Sequence, residues 1–277
     1  MSDLNKAIKT IKTTNKILTK HFQTLGLDAV RLKKNNEIVT EADMTANKFI
    51  TDKLLKYFPN DDIISEEARP IDNPGRDTWY IDPLDGTTNF SYGMREFATC
   101  LTRITPEKID IGVIGLPLAK EVYWVQNGGD AYLNGEKIRV STVDNHGSKS
   151  MILLCGGHVP EQQKKFIKII QRLEPENIRF RILSSAGIET TSVACGRADG
   201  YISTGIKPWD VLAGVLLIRT AGGRVTNFAG KEWTIRDSTI VASNGKIHDK
   251  LLGLVTSLEE KNQVAHILDI DFLYIRC

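Results

Sequence analysis

The sequence has few cysteines, no long apolar run and almost no net charge. Its four cysteines (Cys100, Cys155, Cys195 and Cys277) include no Cys-x-x-Cys pair, and the first two have apolar neighbours, as in buried strands. The most apolar run, residues 211–218, is shorter than the roughly 20 residues that span a membrane. Lysine and asparagine interrupt the N-terminal segment, so no signal peptide is predicted. We therefore expect a cytoplasmic protein with reduced cysteines and no membrane partner.

Composition gives no indication of a nucleic-acid partner. The net charge is +2, with 41% hydrophobic and 25% charged residues, which is typical of a soluble globular protein. The lysines near the N-terminus have the spacing of a solvated helix face. The five histidines (His21, His146, His158, His248 and His266) are scattered without the spacing of metal ligands. We therefore expect each to be a surface or loop residue rather than a metal ligand.

The first half of the chain predicts two helices followed by a mainly antiparallel sheet. Apolar spacing predicts a helix over 3–25, a hairpin or loop over 31–37, and a second helix that ends near Pro59. The second helix begins at a capping box, Thr40 to Asp43, so that Asp43 has an ordinary interpretation as a cap. Strands are predicted at 62–65, 79–81, 97–104, 109–117, 121–126 and 138–140, with a hairpin turn at Asn134-Gly135.

The second half alternates between strands and helices. Strands are predicted at 151–154, 178–183, 200–203, 224–228 and 239–243, and helices at 160–173, 187–195, 209–221 and 247–258. No long linker separates the halves, so we predict a single α/β domain over 1–277, with subregions of about 1–143 and 144–277. Residues 264–277 are partly apolar and alternating, which fits either an extra strand or a subunit contact.

Residues 79–90 join a buried strand to a turn that contains two acids. The apolar run 79–81 is followed by Asp82 and Asp85, and then by Gly86 and Thr87, which can open a helix. Pro83 stiffens the turn between the acids. Paired carboxylates require a cation, whereas the N–H groups at a helix start favour an anion. A metal-bound phosphate satisfies both, although either aspartate could equally be a simple helix cap.

Two further acidic positions follow the same pattern. Glu66-Glu67 ends a predicted strand, and Asp210 opens a predicted helix. Mg²⁺ prefers oxygen ligands and binds a few carboxylates together with phosphate oxygens and water. The sequence thus supplies enough carboxylates for a two-metal site, but spacing alone does not bring them together.

Four motifs, in order, resemble the signatures of the inositol monophosphatase family, the lithium-sensitive magnesium-dependent phosphatases. They are Val-Thr-Glu-Ala-Asp at 39–43, Ser-Glu-Glu at 65–67, Asp-Pro-Leu-Asp-Gly-Thr-Thr-Asn-Phe at 82–90, and Trp-Asp at 209–210 continuing to Ala-Gly-Gly at 221–223. The resemblance implies a layered αβαβα sandwich of the sugar-phosphatase type, a homodimer, and hydrolysis of a small phosphorylated substrate with two, possibly three, Mg²⁺ ions.

The resemblance also implies a role for each motif residue. Glu66, Asp82 and the Leu84 carbonyl would bind the first Mg²⁺, while Asp82, Asp85 and Asp210 would bind the second. Glu66 and Thr87 would orient the attacking water, and Asp43 would fix the Thr87 hydroxyl. Glu67 would assist through a third ion or as a supporting acid. Substrate would contact Asp85, Gly86, Thr87, Ser184, Ser185, Ala186, Ser203 and Asp210.

One position departs from the family pattern. Members that hydrolyse inositol phosphates commonly carry an acid seven residues before the aspartate of the second signature, and Ser203 stands there in this chain. A hydroxyl cannot accept two hydrogen bonds from a diol as a carboxylate does. Inositol monophosphate is the first substrate expected, with fructose 1,6-bisphosphate, a nucleotide 3′-phosphate or histidinol phosphate as alternatives.

Two other classes of function are compatible with parts of the sequence. Haloacid-dehalogenase phosphatases also have an acidic motif that ends in Gly-Thr, but theirs requires two aspartates separated by one residue, whereas two residues separate Asp82 from Asp85. A regulatory protein that binds a macromolecule could retain the same fold. Intact metal ligands argue against a purely non-catalytic role, but not against a dual one.

Overall fold

The computed structural model describes residues 1–23, 30–32, 38–67, 75–144, 149–157 and 159–258. The helices are α1 Asp3–Gln23, α2 Glu41–Tyr57, α3 Thr87–Ser91, α4 Pro160–Leu173, α5 Ala186–Ala194, α6 Pro208–Thr220 and α7 His248–Val255, which continues as a 3₁₀ turn, Thr256–Leu258. The strands before residue 140 are β1 Val30–Leu32, β2 Ile38–Thr40, β3 Asp62–Ser65, β4 Thr78–Asp85, β5 Ala98–Ile104, β6 Ile109–Leu116, β7 Glu121–Gln126, β8 Ala131–Leu133 and β9 Glu136–Lys137. Those after it are β10 Met151–Cys155, β11 Arg179–Arg181, β12 Gly200–Ser203, β13 Arg224–Thr226 and β14 Ile240–Ser243.

The first large sheet carries the central acidic motif. Its order is β3-β4-β5-β6-β7-β8-β9, and every pair is antiparallel except β3 with β4. Helices α1 and α2 pack on one face of this sheet. The apolar stripe of α1, which includes Ala7 and Ile11, is fully buried there with Ile50 of α2. Because β3 and β4 run parallel, their carboxyl ends lie at the same edge of the sheet.

The second large sheet stacks over the first through a layer of helices. Its order is β11-β10-β12-β14-β13, with β10 parallel to both β11 and β12. Helices α5 and α6 contact strands of both sheets, while α4 and α7 pack together on the far side. The predicted αβαβα sandwich is therefore confirmed. One apolar cluster contains residues of both sheets and of the helices between them.

The position of α6 explains why its sequence is apolar on every side. All residues from Val211 to Ile218 are buried, since the helix lies between two sheets. Helix α5 occupies the same layer but is rich in hydroxyl residues. Thr190, Thr191 and Ser192 each donate to a carbonyl one turn earlier, so that these polar groups are satisfied within the helix.

Most elements lie where the sequence predicts them, and two differ. The strand predicted at 79–81 continues to Asp85, with a register shift between Asp82 and Asp85 that places Pro83 in a bulge. Residues 138–140 are not a strand, because the Val140 N–H bonds to the last turn of α6 at Ala221. The prediction for residues 264–277 lies outside the described residues.

Among the helices of the described ranges, none combines the length and the apolar character needed to cross a membrane.

His248 connects α7 to the second sheet by two hydrogen bonds. Its Nε2 lies 3.0 Å from the Thr226 hydroxyl on β13, and its Nδ1 lies 2.9 Å from the Ser243 hydroxyl on β14. The side chain is fully buried, and burial, together with the charge of Arg224, lowers the pKa of His248 from 6.5 to about 4 despite the opposing charge of Asp249. The neutral ring is therefore the form that the folded protein holds.

Because His248 is buried in its neutral form, we predict that the folded protein loses stability in mild acid. Between pH 6.5 and 4 the unfolded chain binds a proton that the folded state excludes, so stability falls as pH decreases through this range. We expect the contribution of His248 to decrease by about 2 kcal/mol between pH 7.5 and pH 5.0. Urea unfolding of the wild type and of His248→Gln at both pH values measures this difference. An equal loss of stability in the two proteins would contradict the assignment.

Candidate active site

The carboxyl end of β4 delivers two buried aspartates. Asp82 is 2% exposed and Asp85 is 8% exposed. Asp82 stands opposite Cys100 and Asp85 opposite Ala98, so that the bulge between them places two residues against one on β5. The Thr99 hydroxyl donates to the Pro83 carbonyl at 3.1 Å, which satisfies the backbone of the bulge. The bulge thus places both acids at one edge of the sheet.

Gly86 turns the chain from β4 into α3. Its φ is +84°, and a Cβ at this position would lie 2.7 Å from the Glu96 carbonyl oxygen. Asn89 of α3 then donates to the carbonyls of Glu96 and Leu183, both at 2.7 Å. The turn is therefore held from both halves of the chain.

Thr87 and Asp43 form a hydrogen-bonded pair beside this turn. The Thr87 hydroxyl lies 2.9 Å from Asp43 Oδ1 and 2.8 Å from the Leu84 carbonyl oxygen, and its single proton serves these two acceptors. Asp43 Oδ2 accepts from the Thr40 N–H at 2.7 Å and completes the capping box of α2. Asp43 thus serves both as the cap that local sequence predicts and as a partner of Thr87.

The N-terminus of α5 holds Asp85 with three donors. The Ser185 hydroxyl lies 2.5 Å from Asp85 Oδ2, and the N–H groups of Ala186 and Gly187 donate at 3.1 and 2.7 Å. A Cβ on Gly187 would lie 2.8 Å from the Ala98 Cβ and 3.0 Å from Asp85 Oδ2, so this approach requires a glycine. Burial raises the pKa of Asp85 to about 6, although these hydrogen bonds lower it.

Asp210 reaches the same region from the first turn of α6. Its Oδ2 accepts from the Lys207 N–H at 2.8 Å, in the manner of a helix cap. Burial, followed by the charges of Asp85 and Glu66, raises the pKa of Asp210.

Four acids, two of them on β4, act on one another electrostatically. Burial raises the pKa of Asp82 most, and the charges of Glu66, Asp85 and Asp210 raise it further. Glu66 follows β3, where its N–H bonds to the Ile81 carbonyl at 3.1 Å. These mutual effects mean that the four side chains predicted as metal ligands lie near enough for their charges to interact.

The chemistry of this donor set fits a divalent cation. Asp82, Asp85 and Asp210 each use at least one oxygen to accept a backbone N–H, so their orientation is set by the protein. Oxygens such as Asp82 Oδ2 and Asp210 Oδ1 accept no hydrogen bond from the described residues. Within the described ranges, no three acidic, histidine or cysteine side chains are already spaced to bind a metal. Since like charges repel, an ion would draw these oxygens together.

The structure separates the predicted substrate contacts into two groups. Gly86, Thr87, Ser185 and Ala186 surround Asp85, as described above. Ser203 is fully buried, and its hydroxyl donates to the Gly205 carbonyl at 3.1 Å. Ser184 contributes its N–H to Glu189 rather than to Asp85.

Two residues of this region were not predicted from the sequence, Gly187 and Glu189. Gly187 lies inside an apolar and small-residue helix, where nothing marks a close approach. Glu189 is the only acid of α5, and a single charge on an otherwise uncharged buried helix was the signal that could have identified it.

Comparisons with known proteins identify the family of this chain. A model of the inositol monophosphatase family matches residues 1–260. The chain is 34% identical over 262 residues to a fructose-1,6-bisphosphatase/inositol-1-monophosphatase of Thermotoga maritima, covering 94% of this chain and 98% of that protein. It is 33% identical over 253 residues to the Nus factor SuhB of Escherichia coli K12, covering 90% and 94%.

The fold is shared with a solved IMPase structure from Thermotoga maritima, with a TM-score of 0.83 and 33% identity over 93% of this chain and 98% of that one. The family model, the relatives and the fold therefore agree, and the chain belongs to the inositol monophosphatase family, whose membership supports a phosphatase activity.

Proposed function

We propose that this chain is a Mg²⁺-dependent phosphomonoesterase that hydrolyses a small phosphorylated alcohol by direct attack of water. The observation that supports the proposal is that the charges of Glu66, Asp82, Asp85 and Asp210 act on one another, while the Thr87 hydroxyl bonds to Asp43 just after Asp85 in the chain. Carboxylates in mutual repulsion need cations. The charge of Lys207 lowers the pKa of Asp210, but burial and the charge of Asp85 raise it by more.

The donors divide between two proposed ions. Glu66, Asp82 and the Leu84 carbonyl would hold one, and Asp82, Asp85 and Asp210 the other, with Glu67 available for a third. Bound Mg²⁺ lowers the pKa of water and offsets the negative charge of a phosphate. The N–H groups of Gly86 and Thr87, at the turn after β4, would donate to phosphate oxygens.

Thr87 is placed to orient the attacking water. When its hydroxyl proton points to Asp43 or to the Leu84 carbonyl, its oxygen lone pairs remain available to accept a hydrogen from water. Glu66 is a second acceptor for the same water. The water oxygen then forms the new bond to phosphorus as the ester bond breaks, and the leaving alcohol oxygen takes up a proton. No side chain becomes covalently attached to phosphate.

The alcohol is proposed to be a polyol such as inositol 1-phosphate. The Thermotoga relative carries fructose 1,6-bisphosphatase in its name as well, so this sugar bisphosphate is the nearest competing substrate. Because the Ser203 hydroxyl is buried in a turn with Gly205, it offers the alcohol less polar contact than an acid would. A nucleotide 3′-phosphate and histidinol phosphate complete the set of candidates. By resemblance to the family we also propose a cytoplasmic homodimer that is sensitive to Li⁺.

We expect phosphate release to require both Mg²⁺ and Asp85. Asp85→Asn should reduce turnover of the best of the four candidate substrates at least about 100-fold, since a ligand matters at least as much as the groups that support it. Asp249→Asn on α7 is the matched control, because this exposed acid pairs only with Arg224. Chelation should abolish wild-type activity, and Li⁺ should lower it when Mg²⁺ is limiting. Turnover that survives chelation would exclude the proposed mechanism.

Two replacements of Thr87 should distinguish the contribution of its hydroxyl to activity from that of its side-chain shape. Thr87→Ser keeps the oxygen and should retain activity within about tenfold, whereas Thr87→Val should lose about 100-fold or more in kcat, because a positioned proton acceptor contributes on this order. Steady-state kinetics with inositol 1-phosphate measure both variants. Equal kcat values for the serine and valine proteins would remove Thr87 from the reaction.

A second candidate function is binding of a macromolecule, with or without catalysis. It is favoured by the 33% identity to proteins named Nus factor SuhB over 90% of this chain. The Asp85→Asn protein distinguishes the two functions in cells that lack the wild-type gene. If catalysis is the physiological task, the variant should fail to restore growth defects of those cells. Full restoration by the inactive variant would instead establish the binding role.

A further inference from the structure

Glu189 is a fully buried acid that lies outside the proposed set of metal ligands. It belongs to α5, and its Oε1 accepts the N–H groups of Leu183 and Ser184 at 3.1 and 3.2 Å. Two successive backbone donors thus converge on one carboxyl oxygen. Without this acceptor both N–H groups would lose the partner that holds them towards α5, since the turn itself is only partly buried.

The turn that Glu189 holds has an unfavourable backbone conformation. Ser184 has a φ of +53°, in the left-handed region that residues with a Cβ rarely adopt. Convergent N–H groups around a left-handed residue form a natural site for an anion or a carboxyl oxygen. Glu189 fills this site from within the chain, and so stabilises a conformation that Ser184 alone does not favour.

The same turn leads directly to the groups that hold Asp85. Ser185, Ala186 and Gly187 follow Ser184 without a break and supply all three donors to the Asp85 carboxyl. On its other side the turn is tied to α3, because Asn89 donates to the Leu183 carbonyl at 2.7 Å. A relaxation of Ser184 would therefore move the three donors away from Asp85.

We propose that Glu189 is a positioning residue that fixes the Asp85 carboxyl for metal binding through the left-handed turn at Ser184. The inference rests on the proposed function, in which Asp85 is a ligand of Mg²⁺. Groups that orient a metal ligand in this way commonly contribute 10- to 100-fold, roughly, to metal affinity or activity.

The second oxygen of Glu189 indicates which replacement will preserve this role. Oε2 accepts or donates no hydrogen bond in the described part of the chain, and the same holds for the nearby Tyr201 hydroxyl. Burial raises the pKa of Glu189, with the charge of Asp85 adding to the effect, so a neutral side chain suits this position. Glutamine keeps the acceptor oxygen at Oε1 and is therefore the conservative replacement.

The test compares Glu189→Gln with Glu189→Leu, which has a similar volume but no acceptor. In the metal-free protein, hydrogen exchange at the Leu183 and Ser184 amides should accelerate at least tenfold in Glu189→Leu and stay near wild type in Glu189→Gln. By calorimetric titration, Glu189→Leu should lose at least about tenfold in Mg²⁺ affinity, while Glu189→Gln stays within about threefold. Ser192→Ala is the control, because its hydroxyl lies on the same helix and donates to the Ile188 carbonyl rather than to the turn.

A double variant tests whether the effect of Glu189→Leu comes from the turn at Ser184 or from a general loss of folding. Ser184→Gly removes the penalty of the left-handed conformation, so the double variant Glu189→Leu/Ser184→Gly should recover part of the Mg²⁺ affinity lost in Glu189→Leu. Wild-type Mg²⁺ affinity in a folded Glu189→Leu protein would overturn the inference while leaving the proposed function intact. Absence of Mg²⁺ binding by the wild type would overturn both, whatever the exchange rates show.

Discussion

Repulsion among buried carboxylates is the constraint on which the site depends. Asp82 and Asp85 of β4 and Asp210 of α6 are brought near Glu66, and the pKa of each aspartate is raised by burial and by its acidic neighbours. Such an arrangement costs folding free energy unless hydrogen bonds and cations compensate it. The backbone supplies the hydrogen bonds, since Leu84, Ala186, Gly187 and Lys207 all donate N–H groups to these acids.

The arrangement of sheets and helices in the sandwich makes this compensation possible. The acids of β4 lie at the edge of the first sheet, and the central helices α5 and α6 begin beside that edge, so that helix N-termini face negative charge. Asp85 joins the two halves of the chain directly, because its partners at 185–187 follow β11 of the second sheet. The positions of the acids at the carboxyl end of β4 therefore depend on how the two sheets pack. A change in sheet packing would move these carboxylates.

The central helices show how such close packing is reached. A Cβ on Gly187 would meet Asp85, Ala98 and Cys100, which means that α5 touches β5 at van der Waals distance. The hydroxyls of α5 bond to their own helix and need no water between the sheets. Within α5 only Glu189 is ionisable, and its carboxyl group accepts from the turn before the helix.

The sequence by itself determined the helices and strands, the capping box at Thr40, and the order of the acidic motifs, because these depend on residues that are neighbours in the chain. It correctly predicted β3 at 62–65, α4 at 160–173 and β12 at 200–203, together with the five-layered sandwich that the family resemblance implied. The roles of the motif residues remain predictions.

Only the tertiary structure decided that Asp85 is held by Ser185, Ala186 and Gly187, that Ser203 is buried in a turn, and that Glu189 supports the turn at Ser184. Contacts such as Asp85 with Ser185 join residues 100 positions apart. No periodicity or spacing encodes them, because they arise from the packing of one sheet on the other.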